Sequence, residues 1–530
     1  METKYTLKEL CRYPLGTFAE IIQRNSLLYP NNEAFIYRSK RVTFAEFNER
    51  VNRLIHGLKG IGCKKGDVIG VLSWNCLEYM DAWGAAMKGG FILAHLNPRL
   101  SETELSQVLL QSGSKVLLCG ADFSDMAGRF QHDLEELRHY FVFDTTSKKY
   151  AYDDFLSESS PKEPEVDMTA EDPLTIFYTS GTTGAPKGAV YNHRQKLENT
   201  MVKALEMGIQ TTDRSLIVLP MFHIGGDSHI WPFFMKGACN IIQERGSFDP
   251  AVMLKTIQDE KVTDVQIVAT QLIVLLNNPG IDRYNLGSLK RIWYAASPMP
   301  TEVLKRGLAK FGPIFMQGYG MTESGPNTTR MTKEAHIQSK AAPEEYNVLA
   351  SCGQPCIGVQ VRIVDDEGED LPPGEVGEII VRSSLLMTEY WQQPKETENV
   401  IKNGWLHTGD MGYYDNNAYI YVVDRKKDMI ITGGENVYSK EVEDVLYQHP
   451  AVYEAAVIGI EDSHWIECVH AVIVKNNGAQ VTDEEIIAFC KERIAKYKAP
   501  KSIEFVKELP KSPQGKILKR ELKKIVSEKA

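Results

Sequence analysis

The stretch Thr179-Ser180-Gly181-Thr182-Thr183-Gly184-Ala185-Pro186-Lys187-Gly188 concentrates hydroxyls, glycines and one lysine directly after an apolar run at residues 174–178. Such a loop can wrap a polyphosphate. Glycines let backbone N–H groups approach the oxygens, hydroxyls donate further hydrogen bonds, and Lys187 supplies a point charge. The order excludes a P-loop NTPase, whose lysine is followed by Ser or Thr, because Gly188 follows Lys187 here. A Ser/Thr/Gly-rich surface loop is the plainer reading of the same composition.

Three more constellations carry chemistry. Gln317-Gly318-Tyr319-Gly320-Met321-Thr322-Glu323 combines glycines, an aromatic face, a hydroxyl and a carboxylate. It could stack a purine on Tyr319, bond a phosphate through Thr322 and hold Mg2+ through Glu323, or be a glycine-rich turn after a strand. Asp410, at the end of Gly404-Trp405-Leu406-His407-Thr408-Gly409, could accept from ribose hydroxyls or form an Asx-turn. Lys516 lies on a loop framed by Pro510, Pro513 and Gly515 near the C-terminus. A charged run, Asp424-Arg425-Lys426-Lys427, precedes Gly433-Gly434 and reads by itself as a solvated linker.

These residues need a large scaffold. A chain of 530 residues exceeds what one core sustains, so at least two domains are expected. With 43% hydrophobic and 25% charged residues the composition is that of a globular protein, and a net charge of −10 disfavours nucleic acid as a partner. The longest nearly apolar run, residues 265–276, is too short to span a bilayer and reads as one buried element. Nine dispersed cysteines and a start without a signal pattern lead us to expect a cytoplasmic protein with reduced thiols. Strand-like runs at 67–72, 91–95, 115–119, 215–219, 264–268 and 291–295 alternate with helical patterns, which predicts an α/β fold with largely parallel sheets. Between about 350 and 424 the pattern turns β-rich, as in a distorted barrel, and a small α+β unit follows. The tail from 516 to 529 has a basic, helical pattern. We therefore expect a large domain at 1–424 and a small one at 425–530.

Taken together, the motifs resemble the acyl-adenylate-forming superfamily of acyl-CoA synthetases, adenylation domains and luciferases, over about residues 43–520. Within it the chain looks most like the medium-chain, aryl or fatty acyl-CoA ligases. The resemblance implies an ATP-dependent acid–CoA ligase working through an acyl-adenylate, with ATP, Mg2+ and coenzyme A as cofactors. It implies that Thr179, Ser180, Gly181, Thr182, Thr183, Gly184 and Lys187 grip the β- and γ-phosphates. Ala296, Ser297 and Pro298 with Tyr319 would frame the adenine, and Gln317, Gly318, Gly320 and Met321 would belong to the same nucleotide-binding site. Thr322 would contact the α-phosphate, Glu323 would bind Mg2+, and Asp410 and Arg425 would take the ribose. Lys516 would bridge substrate carboxylate and α-phosphate, Lys427 would be the hinge of a mobile C-terminal domain, and Gly433 and Gly434 would line the pantetheine channel.

His223, in Pro220-Met221-Phe222-His223-Ile224-Gly225-Gly226, matches the position that gates the acyl pocket; amino-acid-activating relatives carry Asp there. The acid expected is fatty, alicyclic or aromatic. Asp227, Ser228 and His229 could line the pocket and favour a polar or dicarboxylic acid, or could cap a helix or face solvent. Trp231, Phe234, Tyr294 and Met321 could be pocket walls or core. The chain departs from the family where Gly459-Ile460-Glu461-Asp462 and Ile466-Glu467 replace a Pro- and Gly-bearing loop. An enzyme loading a carrier protein, and a non-catalytic acyl-AMP or CoA binder, are the competing readings. No transmembrane segment is expected, and the chain is read as a monomer or homodimer.

Overall fold

The computed structural model describes residues 7–145, 150–179, 186–244, 248–338, 348–432, 435–462, 465–512 and 515–528. Two large sheets dominate. A nine-stranded sheet runs, edge to edge, Gln354–Pro355, Gly325–Met331, Phe315–Met321, Arg291–Tyr294, Asp264–Ile267, Arg214–Ile217, Cys239–Ile242, Glu33–Tyr37 and Lys40–Thr43. A seven-stranded sheet runs Glu389–Tyr390, Lys187–Asn192, Pro173–Thr179, Ile92–Leu96, Val68–Leu72, Ser114–Gly120 and His139–Phe143. Parallel strands fill the centre of both; antiparallel strands lie at both edges of the nine-stranded sheet and at one edge of the seven-stranded sheet, whose other edge, His139–Phe143, is parallel. The central strands are legible because both faces are covered: Val68–Leu72 is buried at all five positions, so it reads as an unbroken apolar run.

The helix Leu77–Gly89 is buried at every residue and belongs to the core shared with the strands of both sheets. Its Gly84 is required by packing, since a Cβ there would lie 2.2 Å from Val51 Cγ2. Its buried charges are matched: Asp81 accepts a bidentate contact from Arg50 at 3.0 and 2.6 Å, and Lys88 meets Glu163 at 2.6 Å. Paired burial of this kind avoids the penalty of isolated ions. Trp231 and Phe234 pack at ring distances of 5.5–5.7 Å with Phe18, Trp83 and Phe35. They are core and not pocket walls.

The β-rich segment forms an open five-stranded antiparallel sheet, Val359–Val364, Gly377–Ser383, Trp405–Tyr414 and Ile401–Lys402, with Ile420–Arg425 on the flank of Trp405–Tyr414. No pairing among the described residues closes it into a barrel. Residues 265–276 are two elements, a strand to Ile267 and a helix Ala269–Leu276, because Gln271 folds back to accept from the Val268 N–H at 3.1 Å and starts a helix.

After Arg425 the chain builds a smaller sheet of Glu435–Val437, Ile430–Thr432, Ile466–Lys475 and Val452–Asp462, with Ser502–Val506 parallel to Ile466–Lys475. The family's missing Pro and Gly have a structural counterpart here. Val452–Asp462 and Ile466–Lys475 pair out to Asp462 and Ile466, so these positions are extended strand in this chain. Gly459 leaves room for the Glu467 carboxylate, which also accepts from the Ile431 N–H at 2.9 Å. The last helix spans Lys519–Ser527 and not 516–529. Gly515 at φ +81° and the bond from the Lys516 N–H to Ser512 Oγ hold Lys516 on a loop ahead of it. Among the described residues no helix is long and apolar enough to cross a membrane.

Candidate active site

Among the described residues, Tyr319, Glu323, Lys187, Asp410, Arg425 and Lys516 lie where strands near one edge of each large sheet meet the Ile420–Arg425 strand and the Lys516 loop. Phe315–Met321 and Gly325–Met331 form a hairpin whose tip is Thr322-Glu323-Ser324. The hairpin is tight because Gly320 has no side chain: a Cβ would stand 2.3 Å from Gly325 O. Gly318 is likewise pressed on the Trp293 indole, 2.6 Å from a would-be Cβ. Gln317 is buried and accepts from Tyr294 Oη at 3.3 Å, while Met321 bonds through its N–H to Ser324 Oγ at 3.0 Å. Tyr294 also contacts His336 at 3.0 Å and is core.

Thr322 and Glu323 are buried, and their main chain is tied down by Tyr191 Oη on Thr322 O at 2.6 Å and by Met387 N–H on Glu323 O at 2.9 Å. Tyr390 Oη donates to Glu323 Oε1 at 2.7 Å. Burial and the neighbouring Glu323 push the Tyr390 hydroxyl pKa far up, so it stays a donor. Among the described residues Glu323 has no cationic partner within 4 Å. A buried carboxylate without a counter-charge fits a cation completed by substrate phosphates. That is how Mg2+ is commonly held, with few protein ligands. No cluster of three ligating side chains exists among the described residues.

The segment expected to hold polyphosphate lies in sequence between the antiparallel strands Pro173–Thr179 and Lys187–Asn192. Ser180, Gly181, Thr182, Thr183 and Gly184 lie outside the described residues, as do Gly433 and Gly434. Thr179 Oγ1 bonds to Lys187 O at 3.4 Å. The Lys187 ammonium pairs with Glu396 and stands 5.4 Å from the centre of the Tyr390 ring. Lys187 and Glu323 therefore share Tyr390 as a neighbour, placing the two expected polyphosphate groups side by side.

Asp410 sits opposite Arg425 in the register of Trp405–Tyr414 and Ile420–Arg425. Its carboxylate takes Tyr319 Oη at 2.8 Å and Arg425 Nε at 2.9 Å. Burial works against the Arg425 charge, but Asp410 and Tyr319 beside it hold the guanidinium firmly protonated. Ala296 adopts φ +70°, a left-handed conformation that costs a non-glycine residue about 1–2 kcal/mol. Ala296 and Pro298 are exposed and Ser297 is half-buried at the end of the Arg291–Tyr294 strand.

Lys516 is carried into this cleft by the C-terminal unit. Gly515 O accepts from Thr270 Oγ1 at 3.4 Å, and a Cβ on Gly515 would come within 2.7 Å of that hydroxyl. Surrounding protein, then the charge of Arg425, lowers the Lys516 ammonium pKa to about 8, with Asp410 and Asp428 opposing. The side chain still meets solvent in the cleft. His223 caps a short helix, its Nδ1 accepting from Gly225 N–H at 3.2 Å, which leaves the proton of the neutral ring on Nε2. Burial and then Lys516 lower its pKa to about 4. One lysine is thus in electrostatic reach of both His223 and the Asp410–Arg425 pair. Lys427 is exposed in the turn that follows Arg425.

Asp227, Ser228 and His229 neither cap the next helix nor face solvent. Asp227 is fully buried, pairs with Lys196 and accepts from Trp231 Nε1 at 2.7 Å. Asp227→Ala would strand the Lys196 charge; we expect a loss of about 3–5 kcal/mol in unfolding free energy, read as a lower denaturant midpoint at unchanged slope. Tyr390, Glu396, Lys196 and Lys203 are site neighbours that the sequence reading missed. For the two lysines a signal existed, since they lie at core-facing positions of His193–Met207 alongside Thr200 and Met207.

Residues 22–391 match the family model for AMP-binding enzymes, and residues 441–516 match that for the C-terminal domain of the same enzymes. The chain belongs to the AMP-binding enzyme family. It is 34% identical to a feruloyl-CoA synthase of an Amycolatopsis species, over 94% of this chain and 97% of that one. It is 33% identical to a 2-succinylbenzoate–CoA ligase of Bacillus cereus, over 97% of this chain and all of the other. Among solved structures, an anthranilate CoA ligase in complex with anthranoyl-AMP superposes with a TM-score of 0.90 at 26% identity, covering 98% of this chain and all of that one. Membership agrees with the resemblance read from the motifs, and with an α/β fold of one large and one smaller domain.

Proposed function

We propose that this family member is an ATP-dependent carboxylic acid–CoA ligase acting on an aromatic acid. In the first step a carboxylate oxygen attacks the α-phosphorus, forming acyl-AMP as the bond to pyrophosphate breaks. In the second, the CoA thiol adds to the acyl carbon, gives up its proton, and AMP leaves. The substrate carboxylate is already a nucleophile, so the first step calls for positioning and charge neutralisation and not for a strong base. The single observation that carries the reading is the docking of the Lys516 loop on Thr270, which brings an ammonium within reach of His223 and the Asp410–Arg425 pair.

On this reading Lys516 spans the acid carboxylate and the α-phosphate. Neutral His223 borders the acyl pocket. Tyr319 and the turn at Ala296-Ser297-Pro298 face the adenine, and Asp410 and Arg425 hold the ribose. Lys187 and the loop 179–184 grip the leaving pyrophosphate. Mg2+, held by Glu323 and substrate phosphates, would supply charge neutralisation there. We take Arg425–Lys427 as the boundary between the domains and Lys427 as the pivot that later withdraws Lys516. Feruloyl-, 2-succinylbenzoate- and anthranilate-activating relatives support an aromatic substrate.

The test is a screen of AMP release across aromatic, alicyclic and aliphatic acids, with and without CoA. Multiple-turnover AMP release should require CoA and favour an aromatic acid. Release that ignores CoA but responds to an acyl carrier protein would overturn the choice of acceptor. Turnover of aliphatic acids alone would overturn the choice of acid.

A further inference from the structure

Beneath the site lies a buried polar seam between the nine-stranded sheet and the helix His193–Met207. Parallel register sets Trp293 beside Gln266, and Arg291, Asp264, Ser215 and Asn240 in the neighbouring row of the same face. The Arg291 row is balanced, since Arg291 pairs with Asp264 and Asp213. Lys203 is not. The residue is 2% exposed, and its ammonium donates to Gln266 Oε1 at 2.8 Å and Ser228 Oγ at 3.2 Å and lies 4.9 Å from the centre of the Trp293 ring. Both oxygens are neutral, and Lys203 has no ion pair among the described residues. Asp227, whose charge acts on it, is committed to Lys196 and Trp231. The lysines at 196 and 203 thus share one carboxylate, leaving a surplus positive charge in a dry region, which is costly unless a counter-charge arrives.

The seam connects to the acid gate. Gln266 Nε2 donates to Gly225 O at 3.0 Å, Ser228 Oγ donates to the same oxygen at 3.0 Å, and the Gly225 N–H bonds to His223. A cavity lined by Ile224, Tyr191, Lys196, Thr200, Ser228 and Pro326 reaches the lysine's partner Ser228. Trp293, under the Lys203 ammonium, is also the ring against which Gly318 packs. A second group is unsatisfied: His229 is 2% exposed, and neither ring nitrogen has a hydrogen-bond partner among the described residues. Orphaned buried donors next to an uncompensated cation are what a site awaiting a polar ligand looks like.

We propose that Lys203, presented by Ser228 and Gln266, is the residue that selects the acid, by binding a second carboxylate on the far side of the aromatic ring from the one that is adenylated. The assignment deepens the aromatic-acid reading and rests on it. Burial, partly offset by Asp227, lowers the Lys203 pKa to about 7, so the empty pocket holds the proton loosely and an incoming anion restores it. A site built around such a contact rejects an analogue lacking the partner group far more strongly than an apolar pocket rejects a missing methylene.

Acid-dependent ATP–pyrophosphate exchange with benzoate and with the three benzenedicarboxylates decides the matter. Wild type should favour one dicarboxylate over benzoate in kcat/KM. In Lys203→Met that preference should fall about 100-fold, through loss with the dicarboxylate alone, benzoate being unchanged or improved. Should Lys203→Met not accumulate as folded protein, Lys203→Gln, which keeps a hydrogen-bonding group without the charge, decides by the same ratio. An equal loss with both acids, or a wild-type preference for benzoate, overturns the assignment. Exchange with no aromatic acid at all would instead sink the reading on which it rests.

Discussion

Lys516→Ala is expected to lower acyl-AMP formation by about 10²–10³-fold while leaving thioester formation from supplied acyl-AMP within a few-fold of wild type. Adenylation gathers negative charge around the α-phosphorus, and on the proposed reading Lys516, on the loop docked at Thr270, is the cation that meets it. A lysine suits the task because a compact charge on a flexible stem can reach between two anions and be withdrawn. Thioester formation breaks the acyl–phosphate bond with AMP leaving as an anion, and needs the approach to the carbonyl open. The pH profile is a second readout. Burial and Arg425 lower the Lys516 pKa to about 8 from an ordinary 10.5, while its contact with solvent moderates the effect. Because the charged form acts, kcat/KM for pyrophosphate exchange should fall as pH rises through the window from about 8 to 10.5. The kcat profile should fall later, since bound polyphosphate favours the ammonium. Normal exchange in Lys516→Ala, or an unchanged profile across that window, would remove Lys516 from the reaction.

Lys427→Pro is expected to separate the half-reactions in the opposite sense. The turn after Arg425 is held by Lys426 N–H on Gly409 O at 2.9 Å and by Asp428 and Met429 N–H groups on Arg425 O at 2.9 and 3.1 Å. None of these uses the N–H of residue 427, and Lys427 is exposed and outside the left-handed region. Proline there removes none of these hydrogen bonds, but it locks φ and restrains Lys426, so a rotation at this point is blocked. Adenylation should stay within about threefold, and thioester formation should drop on the order of 100-fold. Single-turnover measurements of acyl-AMP formation and of its consumption by CoA separate the two. A parallel loss in both steps would show that the substitution damages the turn itself, and the pivot would have to be sought elsewhere.

Legibility in the sequence followed the range of the forces involved. Central parallel strands such as Val68–Leu72 announce themselves because burial on both faces leaves no polar alternation. Local chemistry hid two boundaries. Gln271, capping the helix Ala269–Leu276, splits an apolar run that reads as one element, and Gly515 with Ser512 delays the final helix to Lys519. The barrel expected from alternating strands is an open sheet, because alternation records which faces are buried and not which edges pair.

What the sequence by itself determined is the equipment for handling ATP. The segment 179–187, the Gln317–Glu323 run and the Asp410 turn are short contiguous motifs, and in the second the glycines answer to local backbone demands, such as the close approach of Gly320 to Gly325. Only the tertiary structure decided how that equipment is assembled. Tyr390 reaches Glu323 across 67 positions, Glu396 reaches Lys187 across 209, and Thr270 holds Gly515 across 245. The charge imbalance at Lys203 likewise exists only once one sheet face and one helix are packed together. Such contacts are set by burial and by the matching of charges across separate elements, and no spacing along the chain encodes them.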